Sequence, residues 1–390
     1  MSSHTYRDKQ FLDFPFSKFY GQADFDEIKK FFWYTGLPVY PYYTYTQTKV
    51  AKAMANLDDG NMTQFVLTTG DNIYYTGVDG VDDKRFQVTY SYSHVKAEMS
   101  GTWKKTFENV YRSPGLDKPW YFVAGNHDHF GNITAQIMYT YKSDKWTFPA
   151  PFYTISYEFG PQKTRVDIIA IDTINLCGNT VDLEHAGFFG FFKMLFSKTN
   201  TDPHQPKNVT LAEHYLQWIE HQLNSSKADY LFVVGHYPIY SASSHGSSSC
   251  LIKKLNPLLQ KYNVTSYFSG HDHNLQASFF LFQLQHFTSR ILLHILLGNK
   301  ENSGNGTKCQ IHYVVSGAGS RSDSSMKNKH QLPDTASLLA KGVLPFSQLG
   351  FAKGGFVVVR LYRNRGFFDF YEGNGALQRS FRVNRRYKPN

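Results

Sequence analysis

Cysteine is scarce: the 390 residues hold three, Cys177, Cys250 and Cys309. None stands in a Cys-x-x-Cys pair, so a thiolate zinc site is excluded, while one disulfide plus one free thiol is allowed. No window of 18 uncharged apolar residues occurs, and no transmembrane helix is expected. The segment Met1–Gln22 lacks a continuous apolar run of signal-peptide length, which points to an intracellular protein or to a start other than the natural one. No long disordered tail is visible. Acidic residues are outnumbered, 31 Asp and Glu against 41 Lys and Arg, leaving a formal net charge of +10. Such a surface favours anionic partners. No nucleic-acid fingerprint accompanies it, so the charge reads as a bias toward anionic substrates and nucleic acid is not expected as a partner.

Apolar residues make up 41% of the chain and aromatics 17%, enough for a sizeable core in one large domain or two smaller ones. Asn-x-Ser/Thr triplets begin at Asn61, Asn132, Asn208, Asn224, Asn263 and Asn305. With so few cysteines they tilt the reading toward the secretory pathway.

Four short strings carry the chemistry: GDNIY at Gly70–Tyr74, GNHD at Gly125–Asp128, GHYP at Gly235–Pro238 and GHDH at Gly270–His273. Each follows a short apolar run: Phe65–Leu67, Trp120–Val123, Tyr230–Val234 and Tyr267–Phe268. Apolar runs ending in glycine predict buried strands closed by tight turns. Further strands are expected at Val166–Ile171, Ile311–Val315 and Phe356–Leu361, and helices over Thr46–Leu57 and Leu211–Leu223. Alternating strands and helices imply an α/β protein, whose ligands gather beyond the carboxyl ends of the strands. All four strings fall there.

Two segments do not fit this alternation. Gly178–Asn208 is long for a connection and contains the Phe-rich block 188–196, read as a lid or as a partner-facing or membrane-facing helix. Ala277–Gly298 is strongly apolar, holds no acidic residue and suggests no chemistry. It is read as an atypical insertion or as translated non-coding sequence.

The motif residues form a ligand set for two adjacent metal ions. Asp71 can bridge two cations because each carboxylate oxygen can bind one. Tyr74 offers a phenolate suited to Fe(III), Asn126 an amide oxygen, and His236, His271 and His273 imidazole nitrogens suited to Zn, Fe or Mn.

The order GDxxY, GNHD, GHxP, GHDH resembles the metallophosphoesterases, and the tyrosine of GDNIY narrows the resemblance to the purple acid phosphatases. The small animal, tartrate-resistant type is the nearest in pattern, through GDNIYYTGV, AGNHDHFGN, FPAPFY at Phe148–Tyr153, LCGN at Leu176–Asn179, GHYPIYS, GHDHNLQ and SGAG at Ser316–Gly319. The resemblance runs from about Leu37 to the C-terminus. It implies an α/β fold of two mixed β-sheets packed as a sandwich flanked by helices, with residues 1–28 as an atypical extension, 29–390 as the phosphoesterase domain, and insertions near 180–207 and 277–308. It assigns Asp71, Tyr74 and His273 to Fe(III), and Asp71, Asn126, His236 and His271 to Fe(II) or Zn(II), the ions about 3.5–4 Å apart. It pairs Cys177 with Cys250 and leaves Cys309 without a counterpart.

The implied activity is acid hydrolysis of phosphate monoesters, phosphoproteins included, by a metal-bound hydroxide. His127 and His245 would bind substrate or protonate the leaving group, with Asp128 orienting His127. His129 is not assigned a role, and Arg379, Arg382, Arg385 and Arg386 read as a solvated basic face. The resemblance also implies a monomer in lysosomes or secreted, and a regulatory lid after LCGN. One departure stands out. The Gly-Asp-x-Gly turn that supplies the family's first ferric ligand has no counterpart in Lys29–Leu37. Two other readings therefore remain: a phosphodiesterase of the wider superfamily, and a metal-deficient, non-catalytic secreted binding protein.

Overall fold

A computed structural model describes residues 45–58, 63–74, 76–83, 86, 107–180, 202–203, 205–283, 308–320, 322, 325–332 and 354–386. Helix α1 (Tyr45–Leu57) precedes the short strands β1 (Val66–Leu67) and β2 (Trp120–Tyr121), then α2 (Ile133–Tyr139) and β3 (Trp146–Thr147). The hairpin β4 (Tyr153–Phe159) and β5 (Thr164–Ala170) leads into α3 (Thr173–Cys177) and α4 (Val209–Ser225). Strand β6 (Tyr230–Val234), helices α5 (Ser249–Lys254) and α6 (Asn256–Lys261), and strands β7 (Ser266–Ser269), β8 (Leu275–Gln283) and β9 (Lys308–Ser316) follow. An antiparallel meander of β10 (Gly355–Leu361), β11 (Arg365–Glu372) and β12 (Leu377–Asn384) comes last.

Six strands in the order β4-β5-β6-β7-β9-β8 make the central sheet, parallel from β5 through β9 with antiparallel strands on either side. All five residues of β6 are buried. A parallel strand covered on both faces needs apolar side chains at every position, which is why it reads as an unbroken run. On one face, Ile169, Leu231, Val233 and Tyr267 pack against Ile219 and Leu223 of α4 and Leu251 and Leu259 of α5 and α6. On the other, Ile168, Phe232, Val234 and Val314 meet Val123 and Phe368, Phe370 and Val383 of the meander. Outside this second layer, Tyr139 of α2 joins Trp120, Phe122 and Trp146, while Val50 and Ala53 of α1 cover Phe356. The layers therefore run helix, sheet, sheet, helix, as expected. The second layer is itself two sheets, β1-β2-β3 and β10-β11-β12.

The apolar segment that starts at Ala277 enters as strand. Residues 277–283 continue β8 and pair with β9 from Ala277–Val314 to Gln283–Lys308. Residues 284–307 lie outside the described residues, as do the Phe-rich block 188–196 and the stretch Lys29–Leu37. Cys177 and Cys250 form a disulfide, with 5.9 Å between their Cα atoms, tying the end of α3 to α5. Arg379, Arg382 and Arg385 are exposed, but Arg386 is not part of a solvated face. Its guanidinium donates to the carbonyls of Ser226 at 3.1 Å and Tyr262 at 2.7 Å.

Candidate metal centre

The four turns meet at the carboxyl ends of β1, β2, β6 and β7, so close that their glycines are a steric requirement. A Cβ on Gly70 would lie 2.5 Å from His236 Nδ1, and one on Gly125 would lie 2.2 Å from Asp71 Oδ1. Gly70 also has φ of 86°, which glycine adopts without cost. Asp71 and His271 take left-handed φ values of 53° and 63°, a strain that non-glycine residues keep only where the surroundings over-determine it.

Asp128 holds two of these turns together. Its fully buried carboxylate accepts from the backbone N–H of Gly125 at 2.8 Å, of Asn72 at 3.0 Å and of Ile73 at 3.2 Å, and from Gln136 Nε2 at 2.9 Å. Burial first, and then the neighbouring Asp71 charge, push its pKa up. Its bonds fix the backbone that carries His127, so its orienting action runs through the turn.

Asp71 stands between two groups of side chains. Its Oδ1 accepts the His127 N–H at 3.0 Å and lies 3.4 Å from His236 Nε2, while its Oδ2 accepts from the Tyr74 hydroxyl at 3.0 Å. That hydroxyl is 2.9 Å from His273 Nε2. Burial acts to raise the Asp71 pKa, but His236 and His127, with a smaller contribution from His273, outweigh it and hold the carboxyl below its ordinary value.

On the first side, His236 Nδ1 is 2.8 Å from the Thr69 carbonyl oxygen. A carbonyl only accepts, so the Thr69 contact places a proton on Nδ1 and turns Nε2 toward the centre. Nε2 is 2.9 Å from Asn126 Oδ1 and 3.2 Å from His271 Nδ1, and Asn126 Oδ1 is 3.1 Å from the same His271 nitrogen. Burial above all, followed by the imidazoles of His245, His236, His273 and His127, drives the His271 pKa well down and favours its neutral form. Carboxylate and amide oxygens and two imidazole nitrogens thus converge, a donor set that fits a cation. The ligand atoms of Asp71, His236 and His271 lie within 4.8 Å of one another.

Every expected ligand, Asp71, Tyr74, Asn126, His236, His271 and His273, falls within this one site. His127 stacks obliquely on Tyr74 with ring centroids 4.5 Å apart, and His245 lies 4.1 Å from the His271 ring. The position of the missing Gly-Asp turn lies outside the described residues.

Two supporting acids escaped the sequence reading. Asp272, fully buried, accepts the His245 N–H at 2.9 Å and bonds the hydroxyls of Ser241 and Ser244. Asp172, also fully buried, caps α3 through the N–H groups of Ile174 and Asn175 and lies 2.7 Å from His129 Nε2. Burial lowers the His129 pKa, but Asp172 overcomes this and leaves it raised. Only the Asp172-Thr173 step after a strand, a helix-cap pattern, could have signalled the second of these acids.

The calcineurin-like phosphoesterase profile matches residues 39–275. The chain is 34% identical to tartrate-resistant acid phosphatase type 5 of Homo sapiens, over 91% of this chain and 89% of that protein. It is 36% identical to the Sus scrofa protein of the same name, over 77% and 71%. It is 32% identical to purple acid phosphatase 4 of Arabidopsis thaliana, over 60% and 59%. Among solved structures it shares a fold with GAP50, the anchor in the inner membrane complex of Plasmodium, with a TM-score of 0.59 and 22% identity over 88% of this chain and 86% of that one.

Proposed function

The chain belongs to the calcineurin-like phosphoesterase family, on the purple acid phosphatase branch, and from that premise we propose that it hydrolyses phosphate monoesters in acid at a centre of two metal ions. The observation that carries this reading is the position of Asp71, with Oδ1 toward His236 and Oδ2 toward Tyr74 and His273. Asp71, Tyr74 and His273 would hold Fe(III); Asp71, Asn126, His236 and His271 would hold Fe(II) or Zn(II). Bound there, the pair supplies Lewis acidity and lowers the pKa of water for attack on phosphorus.

The protein's own groups do the rest. The Thr69 carbonyl fixes the His236 tautomer, and burial keeps His271 a neutral donor. Asp71 stays anionic in acid because its imidazole neighbours lower its pKa. His127 and His245 flank the ligands from opposite sides, one beside Tyr74 and the other beside His271. From there they bind phosphate oxygens and give a proton to the leaving alkoxide, a service worth about 10²–10⁴ in rate. Phosphoproteins fall within the substrate class, since such a centre needs only an accessible phosphoryl group.

Metal analysis of the purified full chain tests this reading, together with a visible spectrum and turnover of a phosphate monoester against a diester. Two metals per chain are expected, with a tyrosinate-to-ferric band that Tyr74→Phe abolishes, and a preference for the monoester in acid. Colourless, metal-poor protein without turnover would overturn it.

A further inference from the structure

Among the described residues, the side chains placed at the candidate metal centre include no lysine or arginine. A cluster of exposed arginines lies at the opposite pole, on the turn between β10 and β11 and along β12. The turn is tied to the amino-terminal end of β6, where the Tyr230 hydroxyl donates to the Tyr362 carbonyl at 2.6 Å. The Arg386 N–H likewise reaches the Asp229 carbonyl, just before β6, at 2.8 Å. His236 lies beyond the other end of that five-residue strand. Five strand residues span about 16 Å, roughly two Debye lengths at physiological salt. These charges therefore contribute little to phosphate binding at the centre, and the excess of cations here calls for another partner.

The pole is built as an amphipathic tip. The Tyr362 N–H donates to the Arg365 carbonyl at 2.9 Å and closes the turn, leaving Tyr362 48% exposed beside the exposed Arg363. The register sets Arg360, Phe367 and Arg382 side by side across three strands. Arg360 and Arg365 lie over the Phe367 ring at 5.4 and 5.9 Å. Asp369 neutralises Arg360, and Asp229 neutralises Arg385. Arg363, Arg365 and Arg382 remain as exposed cations around the exposed tyrosine. Guanidinium groups suit phosphate geometry, and a tyrosine with an apolar ring and a polar tip suits the water–lipid boundary. An exposed turn of this make-up fits a flat lamella.

We propose that this pole docks on an anionic phospholipid surface and leaves the metal centre facing solution. The proposal does not depend on the catalytic reading. Co-sedimentation of the full chain with phosphatidylcholine vesicles, with and without phosphatidylserine, tests it. Binding is expected only with phosphatidylserine, and it should be lost in molar salt. The double change Arg363→Glu with Arg365→Glu should weaken it roughly tenfold or more, since each cation near such a surface counts for about fivefold. Arg382→Gln and Tyr362→Ala should each weaken it less, with thermal midpoints matching the parent chain. Failure to bind either vesicle, equal binding to both, or equal binding by parent and double variant would overturn the proposal. So would capture by soluble polyglutamate as strong as by phosphatidylserine, which would mark the pole as a site for acidic proteins.

Discussion

Asp272 lies in sequence between two histidines of the centre, yet its carboxylate works on the loop that carries His245. It accepts that residue's N–H and the hydroxyls of Ser241 and Ser244, and Ser241 in turn receives the Gln276 amide at 2.8 Å. Bonds to a buried carboxylate are worth about 1.5–3 kcal/mol each, because a neutral replacement leaves a donor unpaired. Asp272→Asn keeps the shape but turns an amide N–H₂ toward groups that themselves donate. The His245 loop should loosen while the ligands stay in place. Steady-state kinetics on a phosphate monoester should therefore show kcat down about 10–100-fold, in keeping with the loss of a positioned proton donor, at near-normal metal content. An equal loss of metal and activity would show instead that Asp272 serves the ligands. Asp128 makes the complementary case. Asp128→Asn cannot accept from the Gly125, Asn72 and Ile73 N–H groups as a charged group does, and it should cost both metal content and about 2–3 kcal/mol of stability in urea unfolding.

At the scale of elements, the disulfide joins α3 to α5 across 73 residues of chain. Loop-closure entropy puts its contribution at about 4 kcal/mol. Replacing Cys177 and Cys250 by serine should lower the urea midpoint accordingly and abolish its sensitivity to dithiothreitol; an unchanged midpoint would refute the tether. The pairing was readable in the sequence only through the family pattern, because three cysteines alone allow several pairings. The central strands were readable directly. Tyr230–Val234 and Tyr267–Phe268 are apolar at every position because helices cover one face and the second sheet covers the other. The turns that carry the candidate ligands were legible for the same reason, each opening on a glycine shortly after such an apolar run. Strands β4, β11 and β12 were not. Along β11 the buried Asp369 interrupts the aromatic run, and along β12 exposed Arg379 and Arg382 hide the alternation that buries Val383. Asp272 was illegible because its partners are a backbone N–H and hydroxyls brought near only by the fold, whereas Asp172 showed at most as a helix cap and meets His129 only through the fold.

For the whole molecule, the proposed hydrolysis in acid requires a fold that stays stable there, and one residue outside the candidate metal centre opposes this. His312 on β9 is 5% exposed, with its ring 6.0 Å from that of Phe279 and 5.8 Å from that of Phe368. Burial among these groups lowers its pKa from 6.5 to about 4. The unfolded chain therefore binds a proton at this position between pH 6.5 and 4 where the folded chain does not, and stability must fall as pH falls through that window. At pH 5 the loss amounts to about 2 kcal/mol; by pH 4 it is nearly complete, because below that the folded ring protonates as well. Asp58 and Asp167, whose pKa values are lowered by their partners despite burial, lose their contributions only at more acid pH, so the loss at His312 precedes theirs as pH falls. His312→Phe supplies an uncharged ring to the same aromatic surroundings. Urea midpoints of the parent chain and this variant should diverge between pH 7.5 and pH 5, with the variant's stability falling about 2 kcal/mol less. Parallel pH profiles would show that His312 protonates without penalty and that its burial does not limit the acid stability of the fold.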